Sequence, residues 1–384
     1  MRSITVQEIH LHPISMPFVE PLRTSFGMEP YKGAVIVDLK CTDGTVGWGE
    51  APVAPAPGYT GETVATAYHI LKHYMVSSLT GKTIDHPSQA RDLLAWVRGH
   101  EHAKHGLESA VWDAFAQANQ VRLADLFTSC LPEGHASLNR AIVGVSIGIQ
   151  ADAEATLKII RKRVAQGYTR IKLKIEPGWD VELARAVRQE FPEIMLMLDA
   201  NSAYTLRDAE HLKKLDEFNL LMIEQPLAHN DIYEHSKLQP QLKTPICLDE
   251  SVKTANDLRL AIETGAIGIL NLKPARVGGF AESLEIYQIC VDHQMPLWIG
   301  GMLETGIGRA ANVAFASLPG VTLPCDISAT DRYFAPDLTE PPFVLQPDST
   351  LRVPDAPGIG VEIIRSRLEQ AVAQWYELDE YPIG

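Results

Sequence analysis

Five ionisable residues recur along the middle of the chain at a nearly constant step: Lys174, Asp199, Glu224, Asp249 and Lys273, each 24 or 25 residues after the last. Each closes a short β-rich run. Asp199 follows Ile194–Leu198, Glu224 follows Leu221–Ile223, and Asp249 follows Ile246–Leu248. A carboxylate leaving a buried strand carries a desolvation cost that a cation offsets. Three such acids, with no sulfur or imidazole in the same register, form a hard-oxygen set suited to Mg²⁺, with Mn²⁺ as a substitute. Lys172 and Lys174 lie two apart in one run, so their side chains leave the same face. Burial and mutual repulsion are expected to push a lysine there down toward a useful base. Lys273 approaches from the far side. A divalent cation held by acids and flanked by lysines suits removal of a proton α to a carboxylate, because the cation stabilises the enediolate that forms. Metal-dependent hydrolysis is the competing reaction class. It favours a histidine-rich site, and no histidine occupies this register.

An interval of about 25 residues accommodates one strand, one helix and two short loops. Eight β-runs fit the pattern: Ala141–Ser146, Arg170–Ile175, Ile194–Leu198, Leu221–Ile223, Pro245–Leu248, Ile267–Leu272, Pro296–Ile299 and Val321–Leu323. Helical stretches separate most of them, which predicts a parallel α/β architecture. The regular step favours a closed barrel over an open sheet, because a barrel gathers every strand end around one cavity. The N-terminal third reads differently. Strands are expected at Val6–Ile14, Ala34–Cys41 and Thr45–Trp48, then helices over about 63–79 and 88–126. The Pro- and Gly-rich segments Pro21–Gly27 and Glu50–Tyr59 read as loops. A final helix is expected around Ile363–Trp375.

Composition narrows the function classes. The formal charge is −14, which excludes the basic surface that nucleic acid or an anionic membrane requires. No apolar run approaches a membrane span, and the N-terminus lacks the apolar core and cleavage site of a signal peptide. Cys41, Cys130, Cys247, Cys290 and Cys325 are odd in number, widely spaced and without a C-x-x-C pair, which points to a reducing cytoplasm. A small carboxylate is the expected partner, and a homo-oligomer is the expected assembly.

The motifs Lys172-Leu173-Lys174, Asp199-Ala200-Asn201, Glu224-Gln225-Pro226, Asp249-Glu250-Ser251 and Asn271-Leu272-Lys273-Pro274 resemble the enolase superfamily, in its muconate-lactonizing subgroup. Superfamily sites of this kind pair a lysine base with Mg²⁺ to stabilise an enediolate. Arg276-Val277-Gly278-Gly279, the run Gly300–Ala310 and the run Asp326–Phe334 resemble more narrowly the N-succinylamino acid (N-acylamino acid) racemase/o-succinylbenzoate synthase family. The resemblance implies a (β/α)₇β TIM-type barrel over about 131–325. It also implies an α+β capping domain over about 1–130 and a tail, 326–384, that returns to the cap. It implies Asp199, Glu224 and Asp249 as Mg²⁺ ligands, with Asn201 and Glu250 behind them. Lys174 and Lys273 become an acid/base pair on opposite faces of the α-carbon, with Lys172 beside the carboxylate. Substrate contacts are expected from Ser25, Phe26 and Tyr59 in the cap loops and from Ser146. Arg276 resembles a mark of the racemising members, and the glycines at 300 and 301 let substrate approach the seventh strand end, with Gly301 in contact.

Two outcomes follow from one enediolate. Reprotonation on the other face racemises an N-succinylamino acid, and loss of a β-hydroxyl yields o-succinylbenzoate for menaquinone synthesis. Muconate-type cycloisomerisation uses the same catalytic residues, although the blocks at Arg276 and Asp326–Phe334 count against it. Dipeptide epimerisation would want a second acid at Ser328. A non-catalytic metal-binding protein is the reading from outside enzymology.

Overall fold

The computed structural model describes residues 1–24, 27–132 and 135–379. The N-terminal region is built on a long hairpin, Ile4–Thr24 against Gly27–Cys41. Val46–Ala51 joins one side and Thr83–Ile84 the other, giving a four-stranded antiparallel sheet. Its apolar face, including Val35, Val37 and Leu39, is buried. The helix Glu101–Ala118 lies across that face, with Gly106, Ala110 and Ala114 spaced along one stripe. They meet Gly47 and Gly49. A Cβ on Gly49 would stand 2.1 Å from Gly106 O, and one on Gly47 would stand 2.2 Å from Ala110 O. Small residues on both sides bring the helix and the strand to backbone contact.

The hairpin departs from the expected loop at Pro21–Gly27, because Pro21 to Thr24 belong to the strand Ile4–Thr24. This strand pairs with Thr83–Ile84 only through Ile4 and Thr5, so most of its second edge carries no strand partner. Proline is tolerated on such an edge because no ladder bond is lost there. The second expected loop also begins later, since Glu50 and Ala51 close the strand Val46–Ala51. The helical region 88–126 divides into Gln89–Leu94, Glu101–Ala118 and Leu123–Ser129, and the first break falls at Gly99 and His100, both in the left-handed region.

The larger region is a seven-stranded parallel sheet in strict chain order: Val145–Ile147, Arg170–Lys174, Met195–Asp199, Ile223–Glu224, Ile246–Leu248, Ile269–Leu272 and Leu297–Ile299. The expected eighth run forms no regular strand, but it closes the barrel. Val321 bridges Leu297, and Cys325 bridges Val143. Asp326 N donates to Ile299 O at 3.0 Å, and Gly144 N donates to Cys325 O at 2.8 Å. The first expected run divides in two. Arg140–Ile142 leaves the barrel to pair antiparallel with Thr350–Arg352 of the tail, and only Val145–Ile147 serves as the first barrel strand. The tail adds a small pair, Thr339–Glu340 with Glu362–Ile363, before the helix Arg365–Asp379 packs on the strand Ile4–Thr24. No helix among the described residues is long and apolar enough to cross a membrane.

Candidate active site

In-register pairing lines up the chemistry. Lys174 stands opposite Asp199, Asp199 opposite Glu224, and Glu224 opposite Cys247, two residues before Asp249. The three acids are 1%, 0% and 0% exposed. Gln225 holds the next loop in place, its Oε1 accepting from Asp249 N at 3.0 Å and from Ser251 N at 3.3 Å.

Cations meet these acids from two sides. Lys172 Nζ lies 3.1 Å from Asp199, 3.0 Å from Glu224 and 2.6 Å from Asp326. Lys174 Nζ donates to Asp199 Oδ2 and Asn201 Oδ1, both at 2.6 Å. Asn201 in turn donates to Glu250 Oε1 at 3.0 Å. Across the cavity, Lys273 Nζ donates to Asp249 Oδ2 at 2.8 Å and to the Tyr59 hydroxyl at 2.6 Å. Arg276 pairs with Asp249 Oδ1 and donates to the Tyr59 oxygen. Asn271, two residues before Lys273 and on the same face, donates to Glu224 Oε1 at 2.6 Å.

Burial and charge set the protonation states. Burial works to raise Asp199 and Asp249, but Lys174 and Lys172 beside the first, and Arg276 and Lys273 beside the second, hold both below the ordinary carboxylate range. Glu224 is pushed up to about 8 by burial and by the neighbouring Asp199 charge. Lys172 overturns the expectation of a depressed lysine. Burial opposes its charge, yet Asp326, Glu224 and Asp199 outweigh burial and raise it well above its usual value. Lys273 does move down, through burial and the Arg276 charge, against the pull of Asp249.

Tyr59, Ser146, Lys172, Lys174, Asn201, Lys273 and Gly301 line one cavity at the barrel mouth. Asp199, Glu224, Asp249 and Glu250 lie buried around it, and Arg276 is set behind Lys273 and Tyr59. Ser25 and Phe26 lie outside the described residues. Sequence reasoning missed two lining residues as site groups, Asp326 and Lys32. Asp326 had a signal, since a slightly longer step, 27 and then 26 residues, leads from Lys273 through Gly300 to Asp326. It clamps Arg170 and Lys172, both at 2.6 Å. Lys32 comes from the hairpin and donates to Met302 O at 2.8 Å. Nothing in its local sequence marks it.

Among the described residues, no three His, Cys, Asp or Glu side chains are grouped closely enough to hold an ion as they stand, because the ammonium and guanidinium groups occupy their oxygens. The donor set nevertheless fits a hard divalent cation. It consists of three buried carboxylates on adjacent strand ends, and burial followed by the Asp199 charge pushes Glu224 up to about 8, a cost that a cation would offset.

Two family patterns match the chain: the mandelate racemase/muconate lactonizing enzyme N-terminal domain over residues 7–128, and the enolase C-terminal domain-like family over 155–367. The chain belongs to the enolase superfamily. Within this superfamily it is 43% identical to an o-succinylbenzoate synthase of Geobacillus kaustophilus, over 96% of each chain. It is also 43% identical to an N-succinylamino acid racemase of Amycolatopsis sp, over 94% of this chain and 96% of the other. A solved structure of an enolase-superfamily member from Enterococcus faecalis V583 superposes with a TM-score of 0.89 at 39% identity, covering 96% of this chain and 98% of that one. The enolase-superfamily barrel with its cap is therefore the fold of this chain.

Proposed function

We propose that this enzyme removes the proton α to a carboxylate with the help of Mg²⁺, acting as an o-succinylbenzoate synthase and as an N-succinylamino acid racemase. One observation carries the reading: Lys174 ends the second barrel strand and Lys273 follows the sixth, half-way round an eight-position barrel, and both line one cavity. Names of relatives at 43% identity over nearly the whole length support the choice of substrates. Asp199, Glu224 and Asp249 would hold the ion, which when bound supplies positive charge to substrate carboxylate oxygens as negative charge builds on them.

The chain's own groups do the rest. Lys172, kept cationic by three carboxylates, faces the same cavity and adds charge stabilisation from a fixed position. Lys174 and Lys273 move protons on opposite faces of the α-carbon. In racemisation one takes the proton and the other returns one. In dehydration a single lysine takes the proton and delivers it to the departing hydroxyl, and we assign that role to Lys174, with Lys273 stabilising charge nearby. Asp326 is committed to Arg170 and Lys172, which argues against its holding the amine of a dipeptide substrate. The free cysteines Cys41, Cys130, Cys247, Cys290 and Cys325 suit a cytoplasmic enzyme.

Purified protein should turn over both an N-succinylamino acid and the cyclohexadiene precursor of o-succinylbenzoate. EDTA should abolish both activities, and Mg²⁺ or Mn²⁺ should restore them. Full activity in a metal-stripped sample would end the proposal.

A further inference from the structure

The loop that delivers Lys273 runs through Arg276 and Gly278-Gly279 into the helix Phe280–Asp292. The loop is tight, with Arg276 N donating to Lys273 O at 2.9 Å and Gly279 N donating to Pro274 O at 2.9 Å. The helix it enters has no side-chain cap of its own, because its N-cap is Gly279. A carboxylate from the other domain takes that place. Glu108, on the helix Glu101–Ala118, accepts from Ala281 N at 2.8 Å and from Trp112 Nε1 at 3.1 Å. An acidic oxygen at a helix N-terminus satisfies an orphan N–H and suits the helix dipole.

The fit leaves no slack. Glu108 is 1% exposed, and its second oxygen stands 1.0 Å from where a Cβ on Gly279 would be. Glu101 on the same helix approaches Gly278 in the same way, 2.6 Å from its would-be Cβ. The two glycines, both at positive φ, are therefore the imprint of a cap helix pressed against the loop. Among the described residues, the loop after Lys174 has no such support from the cap. It is held by Asp180, which caps the helix Val181–Glu190 and accepts from Tyr204 and His211, all residues of the barrel.

We propose that Glu108 is a positioning residue for Lys273: by capping the helix Phe280–Asp292 against Gly279, the cap domain sets the placement of one of the two lysines and leaves the other untouched. This rests on the reading that the two lysines serve opposite faces of the substrate. A displacement of about 1 Å at a reacting group can cost two orders of magnitude, so the effect is measurable.

The test follows α-deuterium exchange in D₂O, separately for each enantiomer of one N-succinylamino acid. The enantiomer whose exchange is lost in Lys273→Ala marks the Lys273 face. Glu108→Ala should slow exchange of that enantiomer roughly tenfold more than exchange of its mirror image. Glu108→Gln, which keeps an acceptor for Ala281 N, should restore most of it. Glu108→Asp withdraws the oxygen by one methylene and retains the acid, so it should show the same skew at smaller size if the alanine variant does not fold. Equal slowing of both enantiomers, or no slowing of either, overturns the assignment while leaving the proposed reaction in place. A wild-type protein that exchanges neither enantiomer overturns the racemase reading and this assignment together.

Discussion

The two lysine-bearing banks of the cavity look alike in sequence and are held in different ways. Lys174 ends a strand that is hydrogen-bonded on both sides, and its partners, Asp199 and Asn201, belong to the neighbouring strand end. Lys273 lies one residue beyond its strand, and it touches Tyr59 of the N-terminal region, as does Arg276 three residues later. Among the described residues, the hydrogen-bond partners of Lys174 all come from the barrel. The other bank is assembled from two domains, and its geometry depends on how they dock. A single reaction cavity can thus have one base fixed by sheet register and another set by an interdomain joint.

The largest expected effect separates the banks outright. Lys174→Ala and Lys273→Ala should each abolish racemisation, by the 10²–10⁴ that a positioned acid or base contributes. In D₂O the two variants should wash deuterium into opposite enantiomers. If one single-lysine variant exchanged both enantiomers, one base would reach both faces and the banks would not be distinct. Formation of o-succinylbenzoate should fall much further in Lys174→Ala than in Lys273→Ala.

A smaller effect tests the Lys273 bank alone. Arg276→Gln removes the guanidinium that faces Asp249 and the Tyr59 oxygen. Racemisation, which needs both banks, should drop by about tenfold, whereas dehydration, which leans on Lys174, should change little. This is about the loss of 1–2 kcal/mol expected from one charge-assisted contact. Equal losses in the two reactions would make Arg276 a general support.

The last effect is on stability, not on rate, and reports on the joint itself. Burial pushes Glu108 up to about 7 from an ordinary carboxyl value of 4.5, with no neighbouring cation strong enough to reverse it. Because the folded state holds this proton more tightly than the unfolded one, its contribution to stability is fully present below about pH 4.5 and is lost as pH rises toward 7. Glu108→Gln removes that dependence. Thermal melts of the two proteins should therefore diverge with rising pH, the variant gaining on the wild type between pH 5 and 7.5 by no more than a few kcal/mol. Melting curves that stay parallel across this window would show that Glu108 ionises as freely in the folded protein as in the unfolded chain.

Much of the barrel bank was legible in the sequence because a barrel repeats one unit. Strand, loop and helix together consume about 25 residues, so Lys174, Asp199, Glu224, Asp249 and Lys273 announce a common register before any contact is known. What crosses between domains was not legible. Lys32 reaches Met302 from a strand whose local pattern looks like any other, and Glu108 sits within a helix where an acid ordinarily faces water. The division of 140–147 between two pairings was hidden for the same reason. Ala141-Ile142-Val143 is apolar enough for the barrel, and only the distant partner Thr350–Arg352 draws Arg140–Ile142 away. The charge of Lys172 also depended on an unread partner, since Asp326 comes from the far end of the barrel sequence.

The hairpin strand Ile4–Thr24 has a consequence for life in a crowded solution. It is the longest strand of the described residues, and beyond Thr5 its outer edge has no strand partner. Bare edges of that length are templates for a second chain to add on, and so seed aggregation. Val19, in the irregular stretch between Pro17 and Leu22, gives its N–H to Tyr333 O, and Pro13 and Pro17 carry no N–H. At those positions there is no N–H for an incoming strand to bond. The prolines therefore limit where a second strand could add along this edge.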